Sequence, residues 1–175
     1  EYELGDMIPF NFTARDGVEL TGYITLPPTY RKGQKIPFIL HPHGGPNAKD
    51  RFGYRPEVQI YATRGYGVLQ VNYRGSVGFG LEKMKLANKQ WSLAMHDDLL
   101  DALSWATDRG FVDTDKVCIS GASYGGYSAM VGITKNPDTF KCAVNYVGVV
   151  DLYTLYDDKQ WMFADMGRPQ QHIEM

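Results

Sequence analysis

The stretch "CISGASYGGYSAM", residues 118–130, decides how the rest of the sequence is interpreted. Ser123 lies in the pattern G-x-S-x-G, after an apolar run typical of a strand and before a segment suited to a helix. In this setting the pattern holds a nucleophile on a tight corner, with its hydroxyl projecting above a sheet. Side chains at Gly121 and Gly125 would collide with backbone in such a corner. The stretch therefore predicts a nucleophile elbow over residues 121–125, with Ser123 as the nucleophile.

The same corner supplies a donor for a developing oxyanion. The helix after Ser123 begins at Tyr124, and its free N–H groups and positive dipole end favour negative charge. We predict the backbone N–H of Tyr124 as one donor of an oxyanion hole. A glycine pair after an early strand is where an α/β-hydrolase places its second donor, and "LHPHGGPNA", residues 40–48, has this form. His43 is expected to shape this loop, and neither catalysis nor metal binding is assigned to it.

The hydrophobic pattern around the elbow predicts an α/β fold. An alternating segment with Asp16-Gly17 at its centre predicts an antiparallel hairpin over residues 8–26. Four mostly continuous apolar runs follow, at residues 37–41, 67–73, 116–120 and 141–150. Such runs form parallel strands that are buried on both faces. Helices are expected between them, at residues 57–64, 95–108 and 124–135. The fold class is therefore α/β, with a mostly parallel central sheet, an antiparallel N-terminal hairpin and helices on both faces. His96, Asp97 and Asp98 are expected to form a solvated first turn of the second helix rather than a metal site, because adjacent helix positions point in different directions.

Composition excludes several classes of partner. The chain has 175 residues and a net charge of −2, without a block of like charges, so binding to nucleic acid is not expected. No apolar run has the length of a membrane span, and the opening residues resemble the interior of a longer chain rather than a signal peptide.

Cys118 and Cys142 are expected to be buried free thiols, unless their strands are neighbours and the two cysteines form a disulfide. The two cysteines therefore do not indicate the cellular compartment of the protein.

The glycine-rich segment "VNYRGSVGFG", residues 71–80, has no lysine in P-loop spacing and does not fit G-x-G-x-x-G. It predicts an ordered loop beside the active site. Arg74 is expected to anchor this loop to a carboxylate.

Five segments resemble the catalytic domain of the prolyl oligopeptidase family of serine peptidases: "HPHGGP", "NYRGSVGFG", "DDLLDALSWA", "GFVDTDKVCISGASYGGYSAM" and "NPDTFKCAV". The resemblance covers roughly residues 7–152, and it is strongest to the acylaminoacyl-peptidase-like and dipeptidyl-peptidase-like branch. It implies an α/β-hydrolase fold and cleavage of short peptides. It also implies that Ser123 is the nucleophile, that the backbone N–H groups of Tyr124 and Gly45 form the oxyanion hole, and that Gly44 shapes that loop. Neither a cofactor nor a metal is implied.

The family's acid and histidine lie well downstream of the serine, and no segment here matches theirs. The acidic residues after Ser123 and the single histidine there are weak candidates: Asp138, Asp151, Asp157, Asp158, Asp165, Glu174 and His172. We therefore expect the chain, residues 1–175, to be the N-terminal part of the catalytic domain, to be inactive alone, and to associate with itself or with its remainder. An esterase of the same fold and a non-catalytic α/β module remain as alternatives.

Overall fold

The computed structural model describes residues 3–155. Within these residues ten elements follow one another: β1 (Asp6–Thr13), β2 (Glu19–Leu26), β3 (Ile36–Leu40), α1 (Pro56–Ala62), β4 (Gly67–Asn72), α2 (Leu81–Lys85), α3 (Ala94–Asp108), β5 (Val112–Ala122), α4 (Tyr124–Lys135) and β6 (Cys142–Tyr146). No helix within this described range is long and apolar enough to cross a membrane.

The six strands form one sheet in the order β1-β2-β4-β3-β5-β6. The pairs β1/β2 and β2/β4 are antiparallel, and the pairs β3/β4, β3/β5 and β5/β6 are parallel. Parallel strands bring their C-terminal ends to one edge of the sheet, so the segments after β3, β4, β5 and β6 meet there. The expected hairpin and the mostly parallel sheet are confirmed.

The hairpin turn follows from its sequence. Gly17 has φ +87°, a conformation that glycine adopts without steric cost. Its N–H donates to the carbonyl oxygen of Ala14 at 2.8 Å, and the N–H of Ala14 donates to Val18 at 2.9 Å. The strands that leave this turn bury one apolar face, which includes Phe10, Phe12, Leu20 and Ile24.

Helices cover both faces of the sheet. The stripe predicted on α3 is buried against one face together with residues of α4: Met95, Leu99, Ala102, Leu103 and Ala106 from α3, and Tyr124, Tyr127 and Ala129 from α4. Leu69 and Val71 of β4 belong to this core, whereas the preceding residue, Val68, points to the other face, where α1 packs on β4. Helix α1 begins at Pro56, whose missing N–H costs nothing at a first helical position.

Several sequence-based boundaries shift. Strand β5 begins at Val112 rather than at residue 116, β6 ends at Tyr146 rather than at residue 150, and α2 was not predicted. The expectation of a solvated first turn in α3 is wrong for two of its residues. Asp98 is fully buried beside Arg74, and His96 is buried with its Nε2 2.8 Å from Oδ1 of Asn136. Both partners lie far away in sequence, so periodicity could not reveal them.

The expectation of free thiols is also wrong. Cys118 and Cys142 form a disulfide, and their Cα atoms are 4.8 Å apart. The two residues lie directly opposite each other in the parallel pair β5/β6. The neighbouring-strand alternative is therefore the correct one.

Candidate active site

Ser123 occupies a sharp corner between β5 and α4. Strand β5 ends at Ala122 and α4 begins at Tyr124, which leaves Ser123 as the one residue between them. Its φ is 56° and its ψ is −120°. A non-glycine residue at positive φ is uncommon, and such strain clusters at functional sites. The Ser123 residue is exposed to solvent.

Two flanking glycines make the corner sterically feasible. A Cβ on Gly121 would lie 2.6 Å from the carbonyl carbon and oxygen of Gly125. A Cβ on Gly125 would overlap the carbonyl oxygen of Pro42. The collisions that the sequence predicted are therefore present, and both are with backbone.

The backbone of Ser123 is fixed from two sides. Its N–H donates to the carbonyl oxygen of Tyr146, at the end of β6, at 3.0 Å. Its own carbonyl oxygen accepts from the N–H of Tyr127 at 3.0 Å, in the first turn of α4. The corner is thus held between the last residue of β6 and α4, the helix that follows Ser123.

The glycine loop after β3 lies directly against this corner. A Cβ on Gly44 would be 3.2 Å from the carbonyl oxygen of Ala122 and 3.4 Å from Cβ of Ser123. Gly45 has φ +129°, a region that residues with a side chain rarely adopt. The structure therefore brings Gly44 and Ser123 together, with Gly45 as the next residue along the loop.

His43 is buried within this loop and bonded through both ring nitrogens. Nδ1 lies 2.7 Å from the carbonyl oxygen of Gly44, and Nε2 lies 2.9 Å from Oγ of Ser76. Burial lowers the pKa of His43. The expectation that His43 shapes the loop agrees with these contacts. The sequence did not predict Ser76 as a partner, although its position in the segment 71–80 placed it near the site.

The side chain of Tyr124 anchors the start of α4 in the core. Its ring packs near Tyr73, Trp91 and Tyr127, with centroid distances of 5.4, 4.7 and 5.7 Å. Its hydroxyl lies 3.7 Å from Sδ of Met95, and burial raises the pKa of this phenol. The backbone N–H of Tyr124 therefore belongs to a residue whose side chain is immobilised.

Arg74 anchors the segment after β4, as expected. Its Nε and Nη2 donate to the two oxygens of Asp98 at 2.9 and 2.7 Å, and its Nη1 and Nη2 donate to Asp16 at 2.7 and 3.0 Å. The Arg74 N–H also donates to Asp98 at 2.9 Å. Burial raises the pKa of Asp98 while the guanidinium acts against this, and the same guanidinium lowers the pKa of Asp16.

The two acid candidates that lie within the described residues, Asp138 and Asp151, are not brought to Ser123. Asp138 is exposed, and Asp151 accepts locally from the N–H groups of Tyr153 and Thr154 at 2.9 and 3.1 Å. The remaining candidates lie outside the described residues: Asp157, Asp158, Asp165, His172 and Glu174. Within residues 3–155 no side chain hydrogen-bonds to the Ser123 hydroxyl, and no cluster of three or more His, Cys, Asp or Glu side chains could hold a metal.

Comparison with known proteins agrees with this geometry. A profile of the Prolyl oligopeptidase family matches residues 52–174. Dipeptidyl aminopeptidase BIII of Pseudoxanthomonas mexicana is 43% identical over 84% of the chain, and dipeptidyl peptidase family member 6 of Caenorhabditis elegans is 37% identical over 89%. The solved acylaminoacyl peptidase of Pyrococcus horikoshii is 28% identical and superposes with a TM-score of 0.81 over 89% of the chain and 25% of its own length. The chain spans 22% and 24% of the two curated relatives. It belongs to the prolyl oligopeptidase family of serine peptidases and has its α/β-hydrolase fold.

Proposed function

We propose that the parent polypeptide, meaning the polypeptide of whatever length that carries residues 1–175, hydrolyses peptide bonds through an acyl-enzyme on Ser123. One observation carries this proposal. Ser123 lies at positive φ on the strand–helix corner, with its residue exposed and the glycine loop against it. A plain turn does not require a serine at positive φ between two positions at which any side chain would collide with backbone.

The proposed reaction begins with attack of Ser123 Oγ on the carbonyl carbon of the scissile peptide bond. A histidine base takes the hydroxyl proton and later delivers it to the leaving amine, which breaks the C–N bond and leaves an acyl ester on Ser123. Water then attacks this ester by the same route and releases the acid. Because no histidine side chain bonds to Ser123 within residues 3–155, we place the base and its acid partner outside that range.

The proposed oxyanion hole consists of the backbone N–H groups of Tyr124 and Gly45. Tyr124 begins α4, so its N–H is free of intrahelical bonds and lies at the positive end of the helix dipole. Gly45 follows Gly44, which touches the corner. Loss of one such donor typically lowers kcat by about 10²–10³.

The proposed substrates are short peptides. Relatives of this chain carry the names dipeptidyl aminopeptidase and acylaminoacyl peptidase, which describe removal of a short unit from a peptide. The proposed chemistry uses neither a metal nor a cofactor. It is acyl transfer by a serine, in which the backbone N–H groups stabilise the developing charge.

The test uses the parent polypeptide, a fluorophosphonate probe and chromogenic peptide substrates. Labelling at Ser123 and peptide turnover should both disappear in Ser123→Ala. Ser104→Ala, which changes an exposed serine on α3, is the matched control and should keep both. Near-normal peptide turnover in Ser123→Ala would refute the proposal. Turnover of acyl esters without peptides would indicate an esterase, and absence of labelling in the wild-type protein would indicate a non-catalytic module.

We further propose that the chain 1–175 on its own turns over peptides too slowly for a routine assay and associates with itself. A serine hydroxyl is a weak nucleophile without an adjacent base. Association would use β6, which has a neighbouring strand only on its β5 side among the described residues and exposes Val144 and Tyr146. Unpaired strand edges with apolar side chains favour pairing between chains.

A further inference from the structure

The disulfide between Cys118 and Cys142 lies at the margin of the described sheet. Cys142 is exposed and Cys118 is half-buried. Strand β6, which carries Cys142, has a neighbouring strand only on its β5 side within residues 3–155. Exposed disulfides are the ones that external thiols generally reduce, whereas structural ones resist reduction. The position of this bond therefore favours thiol–disulfide exchange in the folded protein.

Burial of side chains does little to fix the register of β6 against β5. Of the five residues in β6 only Ala143 is partly buried, and the others are exposed in the part of the chain that the structure describes. The register of such a strand is weakly specified, because a slip by one residue brings no buried apolar face into solvent. The disulfide instead joins Cys142 to Cys118 covalently. In the register that contains this pair, Tyr146 lies opposite Ala122.

This register supplies the acceptor for the backbone N–H of Ser123. The N–H donates to the carbonyl oxygen of Tyr146 at 3.0 Å. Tyr146 lies four residues beyond Cys142, about 13 Å along a strand. A slip of β6 by one residue would move this carbonyl oxygen by about 3.3 Å and take it out of hydrogen-bond range. The disulfide thus acts on the corner through the length of β6, without contacting Ser123.

The chain just after β6 is strained and packs on the first turn of α4. Val147 has φ 46°, which is unfavourable for a β-branched residue and persists only where the surroundings impose it. A Cβ on Gly126 would overlap Oδ1 of Asn145 and lie 2.8 Å from Cα of Gly148. Because the two segments leave no room for one added carbon, displacement of the end of β6 also displaces the first turn of α4. That turn carries the backbone N–H of Tyr124.

We propose that the Cys118–Cys142 disulfide is a modification site, and that its reduction by a dithiol lowers the reactivity of Ser123 toward peptides. The inference rests on the proposed function, in which Ser123 is the nucleophile. A thiolate of the dithiol attacks Sγ of Cys142, forms a mixed disulfide and releases Cys118 as a thiolate. The second thiol of the dithiol then displaces Cys142. The dithiol is oxidised to its disulfide, and the protein gains two electrons and two protons.

The expected effect is on the chemical step. After reduction, β6 is no longer held in register by a covalent bond, and the N–H of Ser123 loses its fixed acceptor. Displacement of reacting groups by about 1 Å can lower a rate about 10²-fold. We expect reduction to lower kcat of the parent polypeptide about tenfold, with KM within about threefold. Reoxidation should restore kcat, because the exchange changes only the two sulfur atoms.

The test treats the parent polypeptide with dithiothreitol, a small dithiol, under conditions in which circular dichroism shows that the fold is retained. Alkylation of free thiols followed by mass spectrometry shows whether Cys118 and Cys142 are reduced. Peptide turnover gives kcat per fluorophosphonate-reactive site, and hydrogen–deuterium exchange over residues 121–126 reports on the backbone of the corner. Reduction should free both thiols, lower kcat and speed this exchange. Oxidised dithiothreitol should reverse all three changes.

Two variants separate this effect from other consequences of reduction. Cys118→Ser together with Cys142→Ser should have the kcat of the reduced protein and should not respond to dithiothreitol. A response of this double variant as large as that of the wild type would assign the effect to another disulfide and overturn the proposal. Gly17→Ala lowers stability at the hairpin turn, at the opposite end of the strand order from β6. It should keep the wild-type kcat per reactive site, which excludes lost stability as the cause.

Three other results would contradict the proposal. One is a disulfide that stays intact in the folded protein under dithiothreitol. Another is a kcat within about twofold of the oxidised protein in both the reduced wild type and the double variant. The third is unchanged exchange over residues 121–126, which would leave the disulfide a purely structural bond. Turnover that persists in Ser123→Ala overturns the proposed function itself, whereas equal kcat before and after reduction overturns only the redox control.

Discussion

Gly125 in the active-site corner and Gly17 in the hairpin turn differ in the contacts that an added side chain would make. We expect Gly125→Ala to lower the melting temperature strongly or to prevent folding, because its Cβ would overlap the Pro42 carbonyl oxygen. Gly17→Ala is the matched control. Gly17 has φ +87° with no atom near its Cβ position, so the substitution should cost only the left-handed backbone strain of about 1–2 kcal/mol. Thermal unfolding followed by circular dichroism measures both, and similar losses in the two variants would contradict the collision.

Gly44→Ala should affect catalysis more than stability. Its Cβ would lie 3.2 Å from the Ala122 carbonyl oxygen and 3.4 Å from Cβ of Ser123, which is tight but within reach of small shifts. The added methyl group occupies space beside the proposed nucleophile. We expect kcat of the parent polypeptide to fall about tenfold or more, with a loss of stability below about 1.5 kcal/mol. Unchanged kcat together with a large drop in melting temperature would refute this.

Buried histidines make stability depend on pH. Burial lowers the pKa of His41, His43 and His96. The unfolded chain therefore binds more protons than the folded one between the folded pKa values and about 6.5, so stability is complete above about pH 6.5 and decreases as the pH falls below it. Asp98, whose pKa burial raises, contributes with the opposite sign. Urea unfolding at pH 7.5 and 5.5 should show the decrease, and His96→Gln should reduce it, since glutamine cannot titrate. An equal decrease in the variant would exclude His96.

The loop after β4, the hairpin turn and α3 are joined through Arg74. Arg74 is 5% exposed, and its guanidinium bonds to Asp98 of α3 and Asp16 of the turn. Arg74→Met would leave Asp98 buried without its partner, and such losses typically amount to about 3–5 kcal/mol. Arg74→Lys should recover little, because an ammonium cannot reproduce the planar fork of donors.

Lys116→Met is the matched control for Arg74→Met. It removes an exposed pair in which Lys116 lies 2.8 Å from Asp113, and such pairs contribute about 0–1 kcal/mol. Chemical denaturation of all three variants gives the comparison. Equal losses in Arg74→Met and Lys116→Met would mean that burial of the network has no energetic consequence.

The disulfide joins the two strands whose ends hold Ser123. It closes a sequence separation of 24 residues between β5 and β6, and loops of this size typically contribute about 2–4 kcal/mol. Cys142→Ser together with Cys118→Ser should lower the free energy of unfolding by about this amount, and reduction of the wild-type protein should do the same. Addition of reductant to the double variant is the control and should change nothing. Equal stability of oxidised and reduced protein would show that the bond contributes no stability.

Elements with a regular pattern could be predicted from the sequence, and those that depend on distant partners could not. Helix α4 begins and ends at the predicted residues, and the α3 stripe is buried as its spacing requires. The pairing of Cys118 with Cys142 depends on the register of β5 and β6, and the burial of His96 depends on Asn136. Neither register nor tertiary neighbours are local properties of the chain. For the site, the motif predicted the corner at Ser123, while the bond between His43 and Ser76 joins two loops that only the sheet brings together.

For the whole molecule, the motifs predicted the family and the fold class, but not the order of the strands. Strand β4 lies between β2 and β3, so β2 pairs with β4 and β3 pairs with β5, and neither pair is consecutive in sequence. The residue pattern of a single strand does not indicate which other strands lie beside it in the sheet.

Self-association is the prediction that belongs to the whole chain. Val144, Tyr146 and Val147 are 50%, 69% and 71% exposed on or beside β6. We expect purified chain 1–175 to have a mass in solution above that of a monomer, measured by light scattering, and Val144→Lys to shift it toward the monomer because an edge lysine opposes strand pairing. Thr134→Lys, on the exposed surface of α4, is the control. A monomeric wild-type chain would contradict the proposal.

The backbone contact at Gly125 also limits how the family can vary. A side chain at position 125 strikes the carbonyl oxygen of Pro42, and every amino acid has that carbonyl, so no exchange at position 42 can compensate. At Gly67 a Cβ would instead strike the ring of Phe38, which a smaller residue could vacate. In a library that randomises each glycine with its neighbour, residue 67 should accept alanine when residue 38 becomes smaller, whereas residue 125 should remain glycine in every background. The corner at Ser123 thus tolerates no side chain at position 125, whichever residue occupies position 42.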